Sequence, residues 1–145
     1  MDYYKNKGIC EKFLLLRFVA TRFCNYRCPY CYLTEEIRNN KEDLFSYHSL
    51  NEWIEAIGKL SNYNLDLYFT GGEPLLVDQF IDLVSKLVLM DNVKYIRIDS
   101  NLSPLNKFLK KVDSSKISFL ASFHPSHISF TKFMDKLLML KDKRL

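Results

Sequence analysis

Cys24, Cys28 and Cys31 stand in the run Thr21-Arg22-Phe23-Cys24-Asn25-Tyr26-Arg27-Cys28-Pro29-Tyr30-Cys31-Tyr32, directly after the apolar stretch from Phe13 to Ala20. Three thiolates on one short loop can hold a metal cluster. An iron–sulfur cube normally takes four cysteines, so a three-cysteine loop leaves one iron open to a small ligand, and an open iron is a reaction site. The same spacing fits structural zinc, with Cys10, His124 or His127 as the fourth ligand. Zinc sites of that kind usually pair two CxxC knuckles. Cys10 has no second ligand in its own surroundings and is read as a plain thiol.

Forty residues beyond Cys31 comes Thr70-Gly71-Gly72-Glu73-Pro74, again at the end of an apolar, strand-like run. Two glycines allow close backbone approach and unusual dihedrals, and a carboxylate beside them can receive a cation. CxxxCxxC followed by GGEP, each after an expected strand, resembles the radical S-adenosylmethionine (radical SAM) enzymes. The resemblance implies that Cys24, Cys28 and Cys31 ligate three irons of a 4Fe–4S cluster and that SAM chelates the fourth. It implies that Gly71, Gly72 and Glu73 receive the methionyl ammonium, and that Tyr30 lies beside the adenine. Ser100, Asn101 and Ser122, at later strand ends, become candidates for the methionine carboxylate and the ribose, and His124 joins them. Each has a plainer alternative: loop packing for Tyr30, turn capping for the serines and the asparagine, helix capping for His124. For His127, capping or solvent is the expectation.

These side chains need a scaffold, and apolar periodicity supplies one. Strands are expected near Leu14–Ala20, Leu65–Thr70, Tyr95–Asp99 and Ile117–Phe123. Helices are expected near Ser49–Leu60, Leu75–Met90, Pro104–Val112 and Phe130–Leu140. Leu50, Trp53, Ile54 and Ile57 form one core stripe, and Phe80, Val84, Leu87 and Val88 another, so Trp53 reads as core. Ser103 before Pro104 makes a helix N-cap. The segment from Tyr32 to Tyr47 reads as a long, partly helical connection that helps to cover the site. Four βα units imply an α/β fold with a parallel sheet whose ligands gather at the carboxyl ends of the strands. Both motifs lie at such ends.

The resemblance implies a partial barrel of six βα units, of which four are counted here. The Gly-x-Ile-x-Gly-x-x-Glu pattern that many members carry on a fifth strand does not follow Phe123. Residues 1–145 are therefore expected to form one radical SAM core domain, incomplete on its carboxyl-terminal side or unusually short. An edge strand left open at Ile117–Phe123 invites pairing with another chain, and oligomerisation is expected.

Net charge is +4 over 145 residues, with lysines scattered rather than gathered in a stripe, which argues against nucleic acid as partner. Arg17 interrupts the longest apolar run, and no secretory leader pattern opens the chain, so a cytoplasmic, membrane-free protein is expected. Three crowded cysteines fit a reducing compartment. Arg22 and Arg27 either favour the thiolates electrostatically or are ordinary solvated residues. The implied reaction needs an external one-electron reductant, and its substrate is expected to be a peptide or protein. A short activase of a glycyl-radical enzyme is one alternative, and a non-catalytic cluster- or zinc-binding assembly partner another. No residue identifies a catalytic acid or base.

Overall fold

Leucine, isoleucine, valine and phenylalanine dominate four short runs of this chain, and in a computed structural model describing residues 12–143 each run is a strand. The elements are β1 (Phe13–Thr21), α1 (Glu35–Asn39), α2 (Leu50–Gly58), β2 (Asn64–Gly71), a 3-10 turn (Pro74–Leu76), α3 (Asp78–Leu87), β3 (Val93–Ser100), α4 (Leu105–Leu109), β4 (Ile117–Ala121) and α5 (Phe130–Asp142). All strand pairs are parallel and the order is β1-β2-β3-β4. This is the partial α/β barrel arrangement expected, with the four βα units in sequence. Cys10 lies outside the described residues.

Register aligns the side chains in rows. Phe18, Phe69, Ile98 and Phe119 stand opposite one another across the sheet, as do Leu16, Leu67, Ile96 and Ile117. These rows meet Phe80, Ile81, Val84 and Leu87 of α3 in a continuous buried core. Fully burying one such side chain contributes about 1.5–3 kcal/mol. The intervening row, Arg17, Tyr68, Arg97 and Ser118, faces the uncovered side. There Arg97 makes two bonds to Asp66 (3.1 and 2.7 Å), and the Tyr68 hydroxyl donates to both oxygens of Asp99 at 2.8 Å.

Several boundaries differ from the sequence reading, each for a local reason. The helix expected over Leu75–Met90 is split: Val77 is extended (φ −91°, ψ 111°) between the 3-10 turn and α3. Pro74 has no N–H to continue a ladder, and the Glu73 side chain accepts the Leu75 N–H instead. Ser103 does not cap α4, whose N-cap is Pro104 without a side-chain bond; the Ser103 hydroxyl turns to Asn25. β4 ends at Ala121 rather than Phe123. The connection after Tyr32 does contain a short helix, α1, capped by the Thr34 hydroxyl. Trp53 packs against the core and donates from Nε1 to the Leu44 carbonyl at 2.9 Å.

Candidate active site

At the carboxyl end of β1 the register with β2 shifts between Val19 and Thr21, a bulge that turns the chain out into the cysteine loop. The loop then lies against the end of β2. The Gly72 N–H donates to the Thr21 carbonyl (2.8 Å), and the Glu73 N–H to the Phe23 carbonyl (2.9 Å). This contact explains both glycines. A Cβ on Gly72 would sit 2.1 Å from the Phe23 carbonyl oxygen, and one on Gly71, whose φ is +134°, 2.1 Å from that of Thr21. The glycine pair is thus the seat on which the cysteine loop rests.

A cleft of about 320 Å³ opens above the strand ends. Its wall carries all three cysteines with Tyr26 and Tyr30; its floor carries Thr70, Gly71, Gly72, Asp99, Ser100 and Asn101; Ser122 and His124 close it from β4. Such a volume lies at the small end of the range for ligand sites. Nearly every residue singled out from the sequence therefore meets in one place.

Individual roles are redistributed within it. Glu73 does not line the cleft: it is fully buried beneath, and its carboxylate is engaged by the chain itself. Oε1 accepts from the Leu75 N–H (3.2 Å) and the Ser100 hydroxyl (2.8 Å), and Oε2 from the Asn101 N–H (2.6 Å). Burial pushes this carboxyl up to about 7, against the opposing pull of its three donors. Ser100 is equally committed, donating to Glu73 while accepting the Leu102 N–H at 2.9 Å. Glu73 and Ser100, the latter also on the cleft floor, thus form a clamp between β2 and β3.

Asn101 reaches the cysteine loop. Its Oδ1 accepts the Ser103 N–H (2.8 Å), which leaves Nδ2 to donate to Asn25 Oδ1 (3.2 Å) and toward Cys24 Sγ (3.9 Å). Cys24 Sγ also accepts the Tyr26 N–H at 3.4 Å. Burial raises the Cys24 thiol pKa, and no arginine offsets it. The electrostatic alternative for Arg22 and Arg27 is set aside accordingly: the Arg27 guanidinium donates to the Cys24 and Tyr26 carbonyls and to Asn39, while Arg22 lies toward Glu42 and Tyr47. Arg38, from α1, donates to the Cys28 carbonyl at 3.2 Å. The cations hold the loop's backbone rather than its sulfurs.

His124 Nδ1 lies 3.3 Å from Cys28 Sγ and 3.1 Å from the Tyr30 hydroxyl, with the Tyr30 ring stacked alongside. Burial lowers the His124 pKa, so the neutral ring is favoured. His127, expected to cap or face solvent, is exposed, and there it accepts the Arg27 N–H at Nε2 (3.1 Å) and stacks on Tyr26 with ring centroids 4.3 Å apart. Asp99 and Tyr68 were also missed as site residues. The signal was present in strand alternation: Asp99 lies two residues from Arg97 and so shares its open face.

Three thiols that share a cleft with donors and carbonyls at parallel strand ends suit a cube, each of whose corners takes its own thiolate. Among the described residues, no group of three His, Cys, Asp or Glu side chains is arranged to hold a single metal ion. The fold and site define a parallel βα domain that carries three cysteines on the loop after β1. Residues 18–137 match the family model of the Radical SAM superfamily, and the chain belongs to that superfamily. Its members use a 4Fe–4S cluster and S-adenosylmethionine.

Among curated relatives, a GTP 3',8-cyclase of Pseudomonas putida is 25% identical over 113 residues, covering 78% of this chain and 33% of its own length. The radical SAM cyclopropyl synthase TigE of Paramaledivibacter caminithermalis is 25% identical over 138 residues, covering 81% of this chain and 29% of its own. An S-adenosylmethionine-dependent nucleotide dehydratase of Pseudoalteromonas ulvae is 30% identical over 86 residues, 49% of this chain and 27% of its own. The chain thus spans about a third or less of these relatives' lengths.

Proposed function

We propose that this chain is the cluster-bearing part of a radical SAM enzyme, with Cys24, Cys28 and Cys31 holding a 4Fe–4S cluster and the adjoining cleft receiving SAM. The observation that supports this is the meeting of all three thiols, the glycine turn and the ends of β3 and β4 in one cleft. When bound and reduced by an external one-electron donor, the pair supplies a 5′-deoxyadenosyl radical that abstracts hydrogen from a substrate. The chain's own residues position and shield. Gly71 and Gly72 offer backbone at the cleft floor, Tyr30 and Tyr26 wall it, and Asp99, held by Tyr68, presents a carboxylate at its edge. Tyr30, Ser100, Asn101, Ser122 and His124, which line the cleft, are the side chains proposed to meet SAM.

The substrate proposed is a peptide or protein, which the broad uncovered face of the sheet suits. A nucleotide is the second reading, favoured by the names of two relatives, the GTP cyclase and the nucleotide dehydratase. The test is 5′-deoxyadenosine formation after anaerobic reconstitution with iron and sulfide, in the presence of SAM and a strong reductant. Product that disappears in Cys28→Ala supports the reading; its absence from the unsubstituted chain points to an assembly partner. Stimulation by nucleoside triphosphates would move the substrate to the second reading.

A further inference from the structure

Leu102 is the only non-glycine residue with positive φ (60°) among the described residues, and its side chain is fully buried. A left-handed leucine costs roughly 1–3 kcal/mol unless its surroundings hold it. Three groups do so. Its N–H is bound by the Ser100 hydroxyl (2.9 Å), and its side chain packs with Leu105, Phe133 and Leu140. Its carbonyl accepts the Lys136 ammonium at 2.8 Å, and the same ammonium reaches the Ser103 carbonyl at 3.3 Å. Lys136 belongs to α5, more than thirty residues downstream of both carbonyls.

The turn so held is the one that aims Asn101. Ser103 N–H pins Asn101 Oδ1, and the opposite end of the amide then has one direction left, toward Asn25 and Cys24 Sγ. Ligand-sulfur hydrogen bonds tune a cluster's potential, because a donor favours the more negative, reduced state. We propose that Lys136 is a positioning residue for the cluster: by fixing the left-handed turn at Leu102 and Ser103 it sets the N–H···S contact from Asn101 to Cys24, and so the potential at which the cluster accepts its electron. The proposal rests on the cluster assignment above and is independent of the substrate.

The experiment is an EPR-monitored redox titration of the reconstituted cluster, without SAM or substrate, in the unsubstituted chain, Asn101→Ala, Lys136→Met, Lys136→Arg and the double variant Lys136→Met/Asn101→Ala. Asn101→Ala is expected to make reduction less favourable by about three- to tenfold, a downward shift of roughly 30–60 mV for a one-electron couple. Lys136→Met should shift in the same direction by a smaller amount, Lys136→Arg should stay at the original value, and the double variant should match Asn101→Ala alone, because both act on one contact. Should Lys136→Met fail to fold, Lys136→Leu, which likewise has no donor for either carbonyl, is read by the same criteria.

A potential unmoved by Lys136→Met or Lys136→Leu overturns the proposal, as does a double variant whose shift is the sum of its parts. A purely structural role would lower the unfolding midpoint and leave the potential in place. No cluster signal in the unsubstituted chain would sink the cluster assignment itself, whereas a signal indifferent to Lys136 sinks this inference alone.

Discussion

Glu73 lies buried beneath the cleft, where its carboxylate ties the end of β2 to that of β3. Its carboxyl is raised by burial from about 4.5 to about 7, so between those values the folded chain keeps a proton that the unfolded chain has released. The associated stability is complete below pH 4.5 and is lost as the pH rises through 7, by at most about 3 kcal/mol. Urea unfolding from pH 4.5 to 7.5 should therefore show a decline that Glu73→Gln flattens. The same variant turns an amide N–H toward a backbone donor, Asn101 N–H or Leu75 N–H, and should cost about 1–3 kcal/mol at pH 7. At this scale the sequence was informative about which residues gather and less so about what each one holds. Cysteine spacing speaks directly of chemistry, but the partners of Glu73, Ser100 and Asn101 depend on how β3 closes against β2, and a left-handed leucine leaves no mark in composition.

Among the elements, the bulge in β1 and the glycine turn after β2 act as one joint. Gly72→Ala would drive a Cβ into the Phe23 carbonyl, where only backbone can yield. Overpacking of this kind costs about 1–3 kcal/mol. The expected outcome is a lower urea midpoint together with poor cluster uptake, read from the visible absorbance after reconstitution. Farther from the site, α2 begins with a reciprocal box between Ser49 and Glu52. Ser49→Ala should cost roughly 0.5–2 kcal/mol in urea unfolding and leave cluster uptake intact. Strand and helix types followed from periodicity because long apolar runs bury against α3. Boundaries slipped where local bonds outweighed pattern, at Val77, Ser103 and Phe123. The stack of His127 on Tyr26 left no signal because it joins residues about a hundred positions apart, which no window of sequence samples.

At the scale of the whole molecule, the sheet order among the described residues places β4 at an edge. Leu15, Val19 and Leu120 are largely exposed on the uncovered face, and no helix among the described residues is long and apolar enough to cross a membrane. The edge of β4, beside exposed apolar side chains, favours association. Light scattering over a concentration series is expected to show species larger than the monomer; a strictly monomeric solution would mean that the β4 edge is protected. The close seating of Gly72 on the Phe23 carbonyl also governs where chain length can change. Only the stretch from Thr21 to Cys24 links that seat to the first thiol, so one inserted residue there would swing all three sulfurs away from the strand ends. The exposed turn at Ser61 and Asn62, at the opposite end of the sheet, should absorb the same insertion for a few tenths of a kcal/mol. Length tolerance, rather than residue identity, thus marks which end of the sheet bears the chemistry.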